Sequence, residues 1–198
     1  NGGSGGGRQS LAEAQFYPND YDGIWASCPA INWTQFLASG LWAVTVMNEY
    51  DHILGFHKIN AFRDAVHNSV GGKENYFQVE ERIDFDPYTI LGQKTKGGKI
   101  TEKDCLVMQE IWKGPHTTGN DFLWYSFLPG GTFWNKIIPI GSFYYPLIGK
   151  RPKCFSLVEQ YVHLAFEDPK KDLLHLKIRD FEKVFDTCIR KLGWLSCD

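Results

Sequence analysis

Asn1-Gly2-Gly3-Ser4-Gly5-Gly6-Gly7-Arg8-Gln9-Ser10-Leu11-Ala12-Glu13-Ala14 is the stretch on which the reading of this chain turns. Residues 2–6 have the form G-x-S-x-G, and a helix-forming run follows at once. In a nucleophile elbow of that form the serine sits on a cramped strand-to-helix turn with its hydroxyl thrust above the sheet. Glycine is required two residues to either side, at Gly2 and Gly6, because a Cβ there would collide with the neighbouring strand or helix. Ser4 is thus a candidate acyl-transfer nucleophile. A run of glycine and serine is also what a flexible linker looks like, so the residues that follow must decide.

They continue as Gln15-Phe16-Tyr17-Pro18-Asn19-Asp20-Tyr21-Asp22-Gly23-Ile24-Trp25-Ala26-Ser27-Cys28-Pro29-Ala30-Ile31-Asn32-Trp33. With the opening motif, this stretch resembles the tannase and feruloyl esterase family of secreted serine esterases. In that family the nucleophile segment reads N-G-C-S-x-G-G-R-Q, followed after a short helix by Y-P-x-D-F/Y-D-G-I-x-A-x-x-P-A-x-N-W. Asn1, Gly2, Ser4, Gly6, Gly7, Arg8 and Gln9 fall in register, as do Tyr17, Pro18, Asp20, Asp22, Gly23, Ile24, Ala26, Pro29, Ala30, Asn32 and Trp33. So long a match without gaps excludes the linker. A patchier likeness runs through Ile111-Trp112-Lys113-Gly114-Pro115, Leu128-Pro129-Gly130 and Asp168-Pro169-Lys170-Lys171-Asp172. The resemblance implies an α/β fold. A fragment of an α/β-hydrolase core with elbow, helix and strand (residues 1–36) would precede a mostly helical, loop-rich lid domain (residues 37–198).

Serine hydrolysis needs a base for the hydroxyl proton, a carboxylate to orient the base, and donors for the oxyanion. The resemblance implies Ser4 as nucleophile and the Gly5 backbone N–H as one oxyanion donor. The family's acid segment, G-G-K-L…H-G-x-x-D, and its base segment, G-H-C, have no counterpart here. None of His52, His57, His67, His116, His163 and His175 is flanked by Gly and Cys, so all six are expected to be surface or lid residues. The family's cysteine beside the nucleophile is Gly3 here, so the disulfide that it forms beside the catalytic histidine cannot form. The family also carries a lid calcium loop, D-x-x-D-G-x-x-D-G, between two cysteines. In register its aspartates fall at His67, Val70 and Glu74 and its cysteines at Val66 and Ile83. Calcium needs several hard oxygen ligands, so the calcium site is expected to be lost and no cofactor is expected.

Composition agrees with a folded chain. Of 198 residues, 43% are hydrophobic and 15% aromatic, far above a disordered composition. The net charge of −2, from 21 basic and 23 acidic residues, leaves no electrostatic footprint for nucleic acid. Lys94, Lys96 and Lys99 lie among glycines and read as a solvated loop. No apolar run is long enough to span a bilayer. Five cysteines are an odd number for full disulfide pairing, and their pairing is open.

Apolar spacing and breakers predict a helix over residues 9–16 stopped by Pro18, and a parallel strand within Asp22–Cys28. Helical patterns also cover Phe36–Val44 and Ile59–Val66. A turn is expected at Phe85-Asp86-Pro87. A helix should start at Thr101 and end at Gly114-Pro115, and a helical segment over 157–194 should break at Asp168-Pro169. Aromatics between Asn120 and Lys153 read as packing and, as a cluster, as a pocket wall for flat acyl groups. The functional expectation is a carboxylic ester hydrolase acting on aromatic acid esters, inactive without the acid and base. The alternative is a catalytically dead pseudoenzyme or binding module that keeps the lid pocket, and a purely structural domain is a third reading.

Overall fold

The computed structural model describes residues 1–70, 83–131, 156–173 and 175–193. Two segments of different character make up the described residues. The first is a strand–helix–strand unit. Strand β1 (Gly2–Gly3) leads through Ser4 into helix α1 (Gly5–Phe16), and strand β2 (Ala26–Ser27) returns parallel to β1, pairing Gly2 with Ala26 and Gly3 with Ser27. The helix begins four residues earlier than apolar spacing predicts. Glycines are poor helix formers, yet Gly5, Gly6 and Gly7 form its first turn, with Arg8 N–H closing onto Ser4 O at 3.1 Å. The predicted strand contracts to two residues. Of the α1 residues, only Gly7 is buried.

The second segment is helical: α2 (Trp33–Ser39), α3 (Trp42–Glu49), α4 (Phe56–Ser69), a 3-10 turn (Pro87–Ile90), α5 (Glu102–Lys113), α6 (Ser156–Phe166) and α7 (Ile178–Leu192). The single helical pattern expected over 36–44 is divided at Gly40. There Gly40 N–H bonds Leu37 O at 3.0 Å and Leu41 N–H bonds Ala38 O at 3.2 Å, the tighter spacing of a 3-10 turn. That break lets α3 turn into the centre of the bundle, where Trp42, Ala43, Val44, Thr45, Val46 and Met47 are all buried. A helix apolar on every side belongs in the middle of a core. Trp42 is fully enclosed, with His116 and Phe181 edge-on to it at 4.8 and 5.1 Å, and its Nε1–H donates to Glu110 O at 3.2 Å.

Sequence punctuation and structure agree at several ends. Thr101 caps α5 in a reciprocal box with Asp104. Gly114 ends that helix at φ 84°, and a Cβ there would stand 2.8 Å from Ser126 N, so glycine is required for two reasons. Asp86 caps the 3-10 turn by accepting from Tyr88 N–H at 2.9 Å. Residues 167–177, around Asp168-Pro169, separate α6 from α7 as expected. The Lys94–Lys99 stretch, expected to be a loop, is instead a small antiparallel hairpin of β3 (Lys94–Thr95) and β4 (Gly98–Lys99). Its turn is closed by Thr95 Oγ1 donating to Gly98 O at 2.7 Å, with Gly98 at φ 97°.

Long-range polar contacts join these helices. Thr34 Oγ1 donates to Leu192 O (3.1 Å), so the Tyr161 hydroxyl 2.8 Å away is the donor to Thr34. This ties α2 to both α6 and α7. Lys177 Nζ donates to Asn48 O and, at 3.2 Å, to Glu49 O, while Glu49 Oε2 accepts Ile178 N–H at 3.0 Å. A cation thus meets the carbonyl end of α3 and a carboxylate meets the amide end of α7, each the favourable sense for a helix dipole.

Candidate active site around Ser4

Ser4 stands between β1 and α1 at φ 52°, ψ −117°, a backbone region that non-glycine residues seldom occupy. The surroundings hold it there. Ser4 N–H donates to Ser27 O (3.1 Å), and Ser4 O accepts from both Arg8 N–H (3.1 Å) and Ala30 N–H (3.0 Å). Residues 27–30 thus brace the turn from the side. The Ser4 side chain is exposed, and among the described residues its hydroxyl has no hydrogen-bond partner. Gly5 is the first residue of α1, where an N–H has no acceptor within its own helix.

The glycines divide the steric work differently from the simple motif. A Cβ on Gly2 would lie 2.1 Å from Gly6 O and 2.8 Å from Ser10 Oγ, so Gly2 is obligatory. Gly6, predicted to be required, faces open space among the described residues. Gly7 takes that part instead: its Cβ would meet Pro29 Cα and Ser27 O, both at 2.8 Å. The crowding comes from the β2–Pro29 segment crossing α1, which spacing within the motif does not reveal. Ser10 Oγ adds a bond back to Gly6 O at 3.0 Å. The braces from Ser27 and Ala30 leave no mark in the sequence.

The structure brings no histidine to Ser4 by hydrogen bond. His52 Nε2 lies 2.8 Å from Asp104 Oδ1, His67 Nε2 lies 3.2 Å from Gly130 O, His163 Nε2 lies 3.0 Å from Lys171 O, and His175 pairs with Asp172. His57 packs its ring against Phe56. His116 is not a surface residue. It is buried, with Nδ1 2.8 Å from Gly114 O and Nε2 3.0 Å from Glu110 Oε1. With both nitrogens facing acceptors, it has none free to act as a base.

Asp104 is the best-connected ionic centre of the helical segment. Its buried carboxylate accepts from Lys58 Nζ (2.6 Å), Thr101 N–H (2.7 Å) and Thr101 Oγ1 (2.7 Å), besides His52. Burial by itself pushes the Asp104 carboxyl up, but hydrogen bonds from Lys58, His52 and Thr101 outweigh it and hold the group below its ordinary value. Of the positions aligned with calcium-loop aspartates, His67 faces a carbonyl, Val70 has no donor atom, and Glu74 and the other 71–82 residues lie outside the described ones.

Cys28, Cys105 and Cys188 are free thiols; Cys154 and Cys197 lie outside the described residues. None of these three takes part in a disulfide, so the pairing left open by the odd cysteine count does not involve them. Burial raises the Cys105 thiol to about 11 and the Cys188 thiol to about 12, which keeps both unreactive. Of the aromatics expected between 120 and 153, Phe122, Trp124 and Tyr125 form edge-on pairs, with centroids 5.2 and 5.3 Å apart, and Trp124 and Phe127 pack on the core. The remainder, from Phe133 to Tyr145, lie outside the described residues. No described helix is long and apolar enough to cross a membrane.

Ser4, held at positive φ, thus makes a sharp turn from strand β1 into the glycine-rich start of α1. The family model for tannase and feruloyl esterase matches residues 1–121, and the chain belongs to that family. A curated relative, "Probable feruloyl esterase" of Arthroderma benhamiae, is 33% identical over 152 residues, covering 71% of this chain and 26% of the relative. The chain thus spans about a quarter of that relative's length. The fold is that of the tannin acyl hydrolase from Aspergillus niger (TM-score 0.70, 20% identity, 98% of this chain and 37% of that one). It is equally that of feruloyl esterase B from Aspergillus oryzae (TM-score 0.69, 18% identity, 94% and 37%).

Proposed function

We propose that this chain carries the nucleophile of a carboxylic ester hydrolase acting on esters of aromatic, phenolic acids. Ser4 Oγ attacks the ester carbonyl carbon and passes its proton to a base. The oxyanion leans on the Gly5 N–H at the start of α1, the alcohol departs, and water then releases the acid from the acyl-serine. The observation that carries this reading is the Ser4 backbone: φ 52°, ψ −117° between a strand and a helix, with no room for a side chain at Gly2 or Gly7. Family membership supports the ester chemistry.

In this reading residues 1–36 are part of the α/β-hydrolase core and 37–198 are the lid, with the seam inside α2. The acid and base come from polypeptide that these residues do not include, and secretion is part of the same proposal. No metal or other cofactor takes part, and nucleic acid is not a partner. The second reading, a pseudoenzyme or binding module, is favoured by one observation. Five histidines are hydrogen-bonded to partners other than Ser4, and His57 packs on Phe56.

A fluorophosphonate probe separates the two. Residues 1–198 alone should stay unlabelled, whereas a product of the same gene that contains the acid and base should be labelled at Ser4 and lose the label in Ser4→Ala. Labelling that survives Ser4→Ala refutes the nucleophile assignment. A longer product with a matching acid and base that stays unlabelled favours the pseudoenzyme.

A further inference from the structure

A cleft of about 600 Å³ opens where the end of α3, the end of α5, the loop after α5 and the start of α7 converge. It is remote from Ser4. Ser4 O meets Ala30 N–H, α2 begins at Trp33, and Thr34 of that helix reaches Leu192 O at the C-terminal end of α7. The cleft takes Ile178 and Arg179 from the opposite end of the same 15-residue helix, about 20 Å away at a rise of about 1.5 Å per residue. Its floor is an ionic cluster for which the proposed ester chemistry has no use. Glu110 and His116 are both buried there. Glu110 meets His116 Nε2 at Oε1 (3.0 Å) and accepts from Lys113 Nζ at Oε2 (2.8 Å), so both carboxylate oxygens are occupied. The other carboxylate of the cleft, Glu49, accepts Ile178 N–H.

The donors of the cleft, by contrast, are not used up. Lys113 Nζ has Glu110 as its acceptor and two further N–H groups. The Arg179 guanidinium stands no closer than 3.8 Å to Asp180. The Tyr50 hydroxyl and the side chains of Thr118 and Asn120 have no hydrogen-bond partner among the described residues. Burial, then the Glu110 carboxylate, raises the Tyr50 hydroxyl above its ordinary value and keeps it a donor. Three cations, with Lys177 the third, face two carboxylates, a positive balance in a chain whose net charge is −2. We propose that this cleft binds a hydroxylated organic acid about the size of one sugar ring, its carboxylate paired with Lys113 and Arg179 and its hydroxyls bonded to Tyr50, Thr118 and Asn120. The guanidinium fork matches a carboxylate, and the neutral hydroxyls and amide match ring hydroxyls. The volume lies in the range of small-molecule sites and exceeds what an inorganic ion fills. Thr117 Oγ1 fixes the loop that carries Thr118 and Asn120, accepting Gly119 N–H (3.2 Å) and Asp121 N–H (3.0 Å).

Calorimetric titration with glucuronate, on the full gene product that carries residues 1–198, tests this. Saturable one-to-one binding is expected, with glucose, which lacks the carboxylate, at least tenfold weaker. The double variant Lys113→Gln/Arg179→Gln should keep the circular dichroism of the parent and bind glucuronate at least tenfold more weakly. Lys99→Gln/Lys103→Gln removes the same charge from exposed positions outside the cleft and should bind as the parent does. Arg179→Gln alone, which alters only an exposed side chain, should weaken binding severalfold and guards against misfolding of the double variant. Absence of saturable binding by the parent overturns the proposal. So does equal loss in the Lys99/Lys103 control, equal binding of glucose, or inorganic phosphate binding as tightly as glucuronate. Methyl glucuronoside bound as well as the free acid makes the end of a glycan the source of the ligand, and preference for the free acid makes it a small metabolite. Ser4→Ala should bind glucuronate unchanged, and loss of binding there would place the ligand at the ester site and overturn a separate cleft. Failure of fluorophosphonate to label Ser4 counts against the esterase reading alone and leaves this site standing.

Discussion

Replacing Asp104 by Ala should be the most damaging single change in the helical segment. The carboxylate is fully buried and accepts four hydrogen bonds, from Lys58, His52 and twice from Thr101. Breaking a buried ion pair by removing one partner costs about 3–5 kcal/mol, and loss of a helix cap costs about 1 kcal/mol. These do not simply add, because Oδ2 serves both Lys58 and Thr101. Lys58 and His52 keep 14% and 23% side-chain exposure and can turn partly to water. The expected loss is therefore about 4 kcal/mol, a large share of the 5–15 kcal/mol typical of a folded domain. Urea unfolding followed by circular dichroism reads it directly. With a slope of about 2 kcal/mol/M, the midpoint should fall by about 2 M. A double-mutant cycle with Lys58→Met should show a coupling of about 1 kcal/mol or more. A loss below about 1 kcal/mol, or no coupling, would refute the view that this cluster clamps the loop before α4 and the first turn of α4 to the start of α5.

The same site sets an acid limit. Its folded-state carboxyl lies below the ordinary value, so its stabilisation is complete above the unfolded value of about 4 and is lost as pH falls through the folded one. Unfolding midpoints measured from pH 6 down to 2 should decline in the parent and flatten in Asp104→Asn. At the turn around Ser4, Gly2→Ala and Gly7→Ala should each distort the backbone and lower thermal stability or abolish soluble expression. Gly6→Ala should be tolerated or should stabilise α1 by up to about 1 kcal/mol; thermal unfolding of the three variants checks the order. Gly114→Ala, which adds a Cβ against Ser126 at positive φ, should lower stability by about 2 kcal/mol, read in urea. Peptide mapping after iodoacetamide at pH 8 should find Cys28 alkylated, with Cys105 and Cys188 protected until the chain is unfolded.

What the sequence by itself determined is what neighbours along the chain decide. The elbow at Ser4, the cap at Thr101 with its partner Asp104, the stop at Gly114 and the interruption after α6 each depend on residues within a few positions, so local sterics and hydrogen bonding spell them out. Tertiary structure alone decided the remainder. Gly7 rather than Gly6 is the crowded glycine because Pro29 and Ser27 cross over α1. The α2–α3 break at Gly40 follows from burying Trp42, and the hairpin at Lys94–Lys99 closes through pairing that lysines and glycines do not announce. His116 went inside because Glu110 and Gly114 O meet its two nitrogens. Asp104 meets Lys58 and His52 across 46 and 52 residues, and Thr34 meets Tyr161 across 127. Contacts at that separation exist only once the chain has folded back on itself, so they follow from packing and not from pattern.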